Sequence, residues 1–291
     1  MIWILANPLA GQGRARRFAE RSALRLQRER IPVELHYTNQ KGHGYKLAQQ
    51  AVAQCVETVA VCGGDGTLSE VVPALLNTST ALGLLPFGTA NDFARGLGVP
   101  RTLNEAIRVL VQGHVTYIDV GQCGDRYFST VAAYGFDAEV SAAMEAGQAP
   151  LGGTAGYVLQ ALRHLQHYTP PQTILSGSFR RFEGPVFLVA SANTRSYGGG
   201  MQIAPNANPQ DGLLDVCIVK PLTYRQALCL LPSVFLGRHI HHPSVHIVRT
   251  DTLEISGENE RLISADGEYF GTTPLTLTTV SNALRVVLPV V

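Results

Sequence analysis

The sequence predicts a two-part α/β chain: a parallel α/β domain followed by a β-rich, mostly antiparallel sandwich domain. Three observations predict it. Apolar strand-like runs alternate with helical patterns from Met1 to Gly121, as in a parallel sheet with helices on its faces. Three of those runs lead straight into a polar turn rich in glycine. From Arg126 onward, segments instead alternate with period two and are separated by Gly, Pro, Asn and Asp, the pattern of antiparallel strands. The change of pattern divides the chain into 1–122 and 123–291. No linker is visible between the two parts, so they are expected to pack together.

At 291 residues, with 45% apolar and 15% charged residues, the chain is long enough to bury a large core. A net charge of +1 leaves no general electrostatic footprint for nucleic acid. The five cysteines are scattered, odd in number and without metal-ligand spacing, so a reducing, cytoplasmic setting is expected. Met1 to Ala6 is too short and lacks the basic leader of a signal peptide; it reads as the first strand. The most apolar later stretch, Ala227 to Leu236, is about half a membrane span and contains Pro232, so membrane contact is expected to be peripheral only. Self-association as a homodimer is left open.

Taken in order, Ile2 to Ala6 is a buried strand that runs into Asn7-Pro8-Leu9-Ala10-Gly11-Gln12-Gly13. The following helix turns Ala15, Phe18, Ala19, Ala23 and Leu26 inward, leaving seven arginines between Arg14 and Arg30 largely off that stripe. Such a face either meets water or meets phosphate and anionic membrane. Arg14, beside the turn, is placed to reach a nucleotide phosphate. Val33 to Thr38 alternates as a strand, and a helix follows through Leu47, Ala48, Ala51 and Val52. Val56, Val59, Ala60 and Val61 form the next strand, and Cys62-Gly63-Gly64-Asp65-Gly66-Thr67-Leu68 opens a helix continued by Val71, Val72 and Leu75. Ala81 to Pro86 leads into Phe87-Gly88-Thr89-Ala90-Asn91-Asp92-Phe93-Ala94-Arg95. There Thr89 can donate to phosphate, while Asn91 or Asp92 can cap the short helix. A capping box at Thr102 and Glu105 starts a helix ending near Gly113, and Val115 to Gly121 returns as a strand carrying Asp119.

In the second part the strand-like segments are Tyr127 to Ala133, Thr173 to Phe179, Pro185 to Ala192, Leu213 to Val219, Val245 to Ile255, Leu262 to Ala265, and Leu275 to Thr279 with Leu284 to Leu288. Helical patterns follow Thr154, through Val158, Ala161, Leu162 and Leu165, and Thr223, with Gln226 in the capping-box position.

The chemistry begins at Gly63 to Thr67. Glycines let the backbone approach a ligand, and the unpaired N–H groups of a helix start attract anionic oxygen. Asp65 would repel a bare phosphate, so the turn calls for a divalent cation between them, as in a Mg-nucleotide. In an open parallel sheet the carboxyl ends of strands share one rim, which should gather Thr38 with the Asn7 to Gly13, Gly63 to Thr67 and Gly88 to Asp92 turns. In the second part, Asp266-Gly267 is a hairpin signal, and Glu268 directly after it is a candidate base. Asn208 to Leu213 is a turn with enough oxygen donors for a hard cation. His239, His241, His242 and His246 lack a Cys or carboxylate to complete a zinc set and read as a polar loop.

These motifs together, in this order, resemble the diacylglycerol kinase and sphingosine kinase superfamily, specifically its bacterial soluble lipid kinases. Gly-Gly-Asp-Gly-Thr alone is shared with NAD kinases and phosphofructokinases. The Gly88-Thr89-Ala90-Asn91-Asp92-Phe93-Ala94-Arg95 stretch and the early Asn7-Pro8 turn select the lipid kinases. The resemblance implies a Rossmann-like nucleotide-binding domain, ATP with Mg²⁺ in a cleft, and a lipid hydroxyl as acceptor. Matched residue by residue, Thr38, Gly64, Asp65, Gly66, Thr67, Leu68, Ser69, Glu70 and Thr89 fall on ATP-binding positions. Asn7, Gly11, Gly13, Arg14, Gly63, Asn91 and Asp92 complete the expected nucleotide contacts. Glu268 matches the proton acceptor, with Asp266 and Asp65 beside it as catalytic candidates. Asn208, Asp211 and the Leu213 carbonyl match a structural magnesium site. Asp119 matches a further acidic position. The rival readings are a NAD kinase and a non-catalytic nucleotide- or lipid-binding regulator.

Overall fold

Every residue of Ile2–Ala6 (β1) is buried, as a strand covered by helices on both faces of its sheet must be. The computed structural model describes residues 1–11, 13–147 and 153–290; Gln12, within the first glycine turn, lies outside them. Two compact units are present, Met1–Asp119 with Ser281–Val291, and Val120–Val280.

In the first unit the elements after β1 are α1 (Ala15–Arg28), β2 (Val33–Tyr37), α2 (His43–Ala53), β3 (Thr58–Gly63), α3 (Asp65–Leu75), β4 (Ala81–Pro86), α4 (Asp92–Gly96), α5 (Leu103–Gln112) and the start of β5 (His114–Cys123). The strands pair in parallel in the order β2-β1-β3-β4. The order turns back on itself at β1, which places a switch point between β1 and β3, where such sheets open a crevice. The core joins Ile4, Leu26, Ala60, Leu85, Ile107 and Leu110. Residues Ser281 onward belong here, with Val286 beside Leu82 in parallel register and the Asn77 N–H bonded to the Ala283 carbonyl (2.7 Å). Their return to the first unit was not legible in a division by chain order.

Helix α1 buries Ala15, Ala19, Ser22, Ala23 and Leu26, and all seven arginines are exposed. Arg16 pairs with Glu20 and Arg25 with Glu29. At α5 the expected capping box is replaced by a simpler contact. The Thr102 hydroxyl donates to the Glu105 carboxylate and caps no backbone N–H.

The second unit holds β6 (Arg126–Phe128), β7 (Val131–Gly135), α6 (Phe136–Glu145), α7 (Gly153–Leu165), β8 (Gln172–Gly177), β9 (Phe182–Pro185), β10 (Leu188–Ala192), β11 (Leu214–Val219), α8 (Tyr224–Phe235), a 3-10 turn (Arg238–His241), β12 (Val245–Thr250), β13 (Thr252–Gly257), β14 (Leu262–Ala265), β15 (Glu268–Thr272) and the start of β16 (Leu275–Leu288). One antiparallel sheet runs β12-β11-β10-β7-β14-β15. A second joins β9, β8, β13 and Leu275 to Thr278 of β16. Alternation along β11 sorts the core: Leu214, Val216 and Ile218 pack toward the second sheet with Leu253 and Leu277. Cys217 and Val219 face the other way, with Val140, Ala161 and Ala227 from the helices.

Three segments depart from the period-two reading. Tyr127 to Ala133 is two strands, β6 and β7, parted at Ser129 and Thr130 and built into different sheets. Val245 to Ile255 is two strands, β12 and β13, parted at Asp251 and built into different sheets. Helix α6 was hidden because Phe136 prolongs the apolar run of β7 in sequence. All five cysteines are free thiols; burial pushes Cys62 and Cys217 up to about 12. Among the described residues no helix is long and apolar enough to cross a membrane.

Candidate active site

The parallel strands end in register, and that alignment builds one edge. Ala6 pairs with Tyr37 and with Cys62, and Gly63 with Pro86. Backbone bonds continue the alignment past the strands: Thr38 N–H to the Ala6 carbonyl (2.9 Å), Asn7 N–H to Cys62 (3.4 Å) and Phe87 N–H to Gly63 (2.9 Å). Asn7, Thr38, Gly64 and the Phe87-Gly88 turn therefore follow one another along a single rim, as strand order requires.

Each turn is fixed by its own residues. Asn7 Oδ1 accepts the Leu9 N–H (3.0 Å), closing the first turn, and Arg14 Nε reaches back to the Gly11 carbonyl (3.1 Å). No acid stands in the first turn of α1, so its N–H groups and Arg14 leave a positive end for phosphate oxygen. In the third turn Asn91 stands in the left-handed region (φ 52°). Its Oδ1 accepts the Gly88 N–H (2.8 Å) and its Nδ2 donates to the Gly88 carbonyl (2.9 Å). The side chain is spent on the turn itself, so Asn91 neither caps α4 nor points at a ligand through these atoms. Thr89 is exposed, while Asp92 is buried.

The second and third turns touch. A Cβ on Gly88 would collide with Gly64 Cα, and one on Gly64 would lie 3.1 Å from Gly88 Cα. Only a residue without a side chain can occupy Gly88. Asp65, half-buried at the start of α3, accepts the Phe93 N–H through Oδ1 (3.2 Å). One carboxylate oxygen thus clasps the Gly64 turn to α4. Thr67 and Leu68 are buried, and the Ser69 hydroxyl bonds back to the Asp65 carbonyl (3.1 Å). Glu70 Oε2 accepts the Gly44 N–H (3.0 Å), tying α3 to the start of α2. Of the sequence-selected set, Leu68 is buried and Ser69 and Glu70 make these bonds, while Gly63 and Gly64 lead into the first turn of α3.

Asp119, open in role from sequence, is buried, and its Oδ1 accepts the N–H of Asn282 (2.8 Å), a positive-φ residue (φ 54°) within β16.

In the second unit, Asp266 (φ 51°) and Gly267 (φ 83°) form the hairpin between β14 and β15. The Asp266 carboxylate accepts the N–H groups of Ser129 (2.7 Å) and Thr130 (2.8 Å) and the Thr130 hydroxyl (2.6 Å). It is an anchor. Glu268, half-buried, starts β15 opposite Ala265, so the anchored turn sets where its side chain begins. Asp266→Ala is expected to cost about 3 kcal/mol of stability, since it strips the acceptor from two backbone donors. A fall in the urea midpoint, with Asp266→Asn losing less, checks this.

At Asn208 to Leu213, Asp211 Oδ1 accepts the Leu213 N–H (3.1 Å) and Oδ2 pairs with Arg249. Asp215, buried and 3.7 Å from Arg249 Nε, has Oδ2 without a hydrogen-bond partner; burial raises its pKa, opposed by Arg249. Asn208 is exposed. These oxygens suit a hard cation, and the Arg249 guanidinium occupies the charge such a cation would meet. No cluster of three or more His, Cys, Asp or Glu able to hold a metal occurs among the described residues.

Helices α6, α7 and α8 flank an apolar cavity lined among others by Phe187, Leu165, Val219, Leu230 and Val234. Only Ala227 of α8 is buried, so this helix is a wall of the cavity rather than a core helix. His239, expected in a polar loop, is instead buried in the 3-10 turn and lines the cavity. Asp137 lines it too. Nothing in spacing singled Asp137 out; the available signal was an acid two residues after a glycine inside an apolar segment.

Residues 1–123 match the family described as diacylglycerol kinase catalytic domain, and residues 130–288 match the YegS C-terminal NAD kinase beta sandwich-like domain. A diacylglycerol kinase of Mycobacterium tuberculosis (strain ATCC 25618 / H37Rv) is 33% identical over 99% of this chain and 95% of its own. A diacylglycerol kinase of Bacillus subtilis (strain 168) is 26% identical over 98% and 95%. A crystal structure from Bacillus anthracis str. Sterne shares the fold, with a TM-score of 0.82 at 24% identity, covering 99% of this chain and 96% of that one. With the parallel α/β sheet, the β-rich second unit and the ordered glycine turns, these matches show that the chain belongs to the diacylglycerol kinase family.

Proposed function

We propose that the protein is an ATP- and magnesium-dependent lipid kinase that transfers the γ-phosphate to a hydroxyl of diacylglycerol or a related glycerolipid. The observation that carries the nucleotide half is the single rim on which the Asn7, Gly64 and Gly88 turns follow one another beside two helix starts. Such a rim offers backbone N–H groups to phosphate oxygen, and Arg14 adds a cation there. Asp65 is the one acid in the first turn of α3. With one oxygen on Phe93, its carboxylate is suited to hold Mg²⁺ directly or through water. Bound Mg²⁺ supplies neutralisation of the phosphate charge that builds during transfer.

The chain's own part is positioning and one proton. The turns hold the phosphates, and Glu268 takes the acceptor hydroxyl's proton as its oxygen bonds to the γ-phosphorus and the bond from that phosphorus to the bridging oxygen breaks, releasing ADP. Asp266 acts on Glu268 only through the hairpin and is a positioning residue. Asn208, Asp211 and the Leu213 carbonyl would hold a structural magnesium, whose charge would take the place that the Arg249 guanidinium now fills beside Asp211. The apolar cavity of the second unit supports a lipid acceptor, because a soluble acceptor has no use for such a lining. The exposed arginine face of α1 supports peripheral contact with anionic membrane at the cytoplasmic face.

The test is transfer from γ-labelled ATP with Mg²⁺ to diacylglycerol, monoacylglycerol, phosphatidylglycerol, sphingosine and NAD offered in parallel. Label in a glycerolipid is expected. Label in NAD alone would overturn the lipid acceptor, and nucleotide binding without transfer to any acceptor would leave a regulator.

A further inference from the structure

We propose that the groove between α8 and the 3-10 turn of the second unit is an anion site that holds a phosphomonoester through Arg225, Arg238 and the histidines beside them. None of these residues belongs to the glycine turns, the Asp266 hairpin or the lining of the apolar cavity, so the site stands apart from the kinase reading.

The charge begins in the sequence. No Asp or Glu occurs between Asp215 and Asp251, a stretch that carries Lys220, Arg225, Arg238, Arg249 and four of the chain's nine histidines. In a chain of net charge +1 this is a strong local excess of cation. The fold then gathers part of it. Helix α8 closes with the Gly237 N–H on the Val234 carbonyl (3.1 Å), and Gly237 reverses the chain at φ 65°, where a Cβ would lie 3.1 Å from the Pro205 ring. His239, next but one, is buried with Nε2 donating to the Ile203 carbonyl (3.0 Å). That anchor fixes the inward side of the 3-10 turn, so Arg238 and His241, three residues apart, share its exposed side. On α8, Arg225 and Cys229 are four residues apart and share one exposed face. These four side chains line one groove, with Gln226 and His242.

What the groove offers is donors without acids. Other arginines are answered within the chain: Arg16 by Glu20, Arg25 by Glu29, Arg181 by Glu183, Arg249 by Asp211 and Arg261 by Glu139. Arg225 and Arg238 make no ion pair or hydrogen bond with any described residue, and no carboxylate stands among the described lining residues. The Ser244 N–H donates to His242 Nδ1 (3.2 Å), which leaves the ring's own proton on Nε2 as a donor. Gln226 Oε1 is occupied by the Thr223 N–H and hydroxyl (both 2.9 Å), so its amide N–H groups are what remains. The Ser233 hydroxyl donates to the Leu230 carbonyl (2.6 Å) and adds no donor. A carboxylate, with two oxygens in one plane, satisfies a single guanidinium. Two guanidiniums on different elements, with imidazole N–H between them in the same lining, match three outward oxygens and up to two charges, which is a terminal phosphoryl group. That group can sit on a soluble ester or on a lipid headgroup.

The exposed Cys229 thiol in the groove is a built-in reporter, and Cys55, exposed in the first unit, is its control. The experiment is alkylation of the full chain by iodoacetamide, read peptide by peptide by mass spectrometry at constant ionic strength. The additions are inorganic phosphate, glycerol 3-phosphate, dioctanoyl phosphatidate, dioctanoylglycerol and acetate. Each phosphoryl compound, at about ten times its Kd, is expected to slow Cys229 on the order of tenfold by mass action, with Cys55 unchanged. Arg225→Gln and Arg238→Gln, both at exposed positions, are each expected to raise the concentration needed on the order of tenfold, with the urea midpoint unmoved. Protection by glycerol 3-phosphate and phosphatidate at similar concentrations assigns the site to the phosphoryl group alone. Protection by phosphatidate at a far lower concentration assigns it to a lipid headgroup. The site is overturned by no protection from any phosphoryl compound, by equal protection from dioctanoylglycerol or acetate, by equal slowing of Cys55, or by protection that survives unchanged in both variants.

Discussion

Replacing Glu268 with glutamine is expected to slow phosphoryl transfer to lipid by a factor on the order of 10²–10⁴, while ATP affinity stays unchanged. The expected size comes from the role: a positioned base removes the hydroxyl proton as the new bond forms, and an amide cannot. The isolation of that effect comes from the hairpin. Asp266 and Gly267 both have positive φ, the two-residue turn that matches strand twist, and Asp266 is bonded to Ser129 and Thr130. Glutamine at 268 leaves all of those contacts in place. Single-turnover transfer with tritiated diacylglycerol, alongside nucleotide binding by calorimetry, separates chemistry from binding. A Glu268→Gln enzyme that keeps its rate would move the proton acceptor to another residue.

Asp65→Asn is expected to lower transfer by a factor on the order of 10²–10³ and to weaken the dependence of the rate on magnesium concentration. The substitution is chosen for what it preserves. Asparagine Oδ1 can accept the Phe93 N–H as Asp65 does at 3.2 Å, so the clasp between the Gly64 turn and α4 survives and only the charge is lost. The unfolding midpoint should hardly move. Asp65→Ala removes the clasp as well and should cost about 1 kcal/mol more, visible as a lower midpoint. An Asn variant with full rate and unaltered magnesium response would show that no catalytic cation is held there.

The first unit was legible because its signals are local. A strand that is apolar throughout, a glycine turn and a helix stripe each span few residues, and Val61 through Leu75 carries all three. The rim could be reasoned from strand direction alone. The return of Ser281 onward to that unit was not legible, since it depends on Val286 lying beside Leu82, a pairing between segments far apart in the chain. Period two identified most strands of the second unit, β9 and β15 excepted, but could not say which sheet each enters. At Asp251 the alternation simply continues while the chain changes sheets. Side-chain roles were harder still. Glu70 and Asn91 read as nucleotide contacts, yet Glu70 bonds Gly44 and Asn91 bonds Gly88. Gly-rich motifs contain the residues that build a loop as well as those that face its ligand, and spacing does not separate them. Asp137 escaped notice because its significance lies in burial, which a polar residue at an apolar stretch's edge does not announce.

The contact between Gly64 and Gly88 has a mechanical consequence. With no side chain between them the two loops have no clearance, so neither can slide past or advance upon the other. Whatever displacement is imposed on the loop after β3 must be transmitted to the loop after β4, and the pair moves as one jaw. Asn91, stitched to Gly88 on both sides, stiffens that jaw, and Asp65 pins it to α4. A single-site change in either glycine is then felt at both loops at once, so neither loop can be reshaped without rebuilding its neighbour.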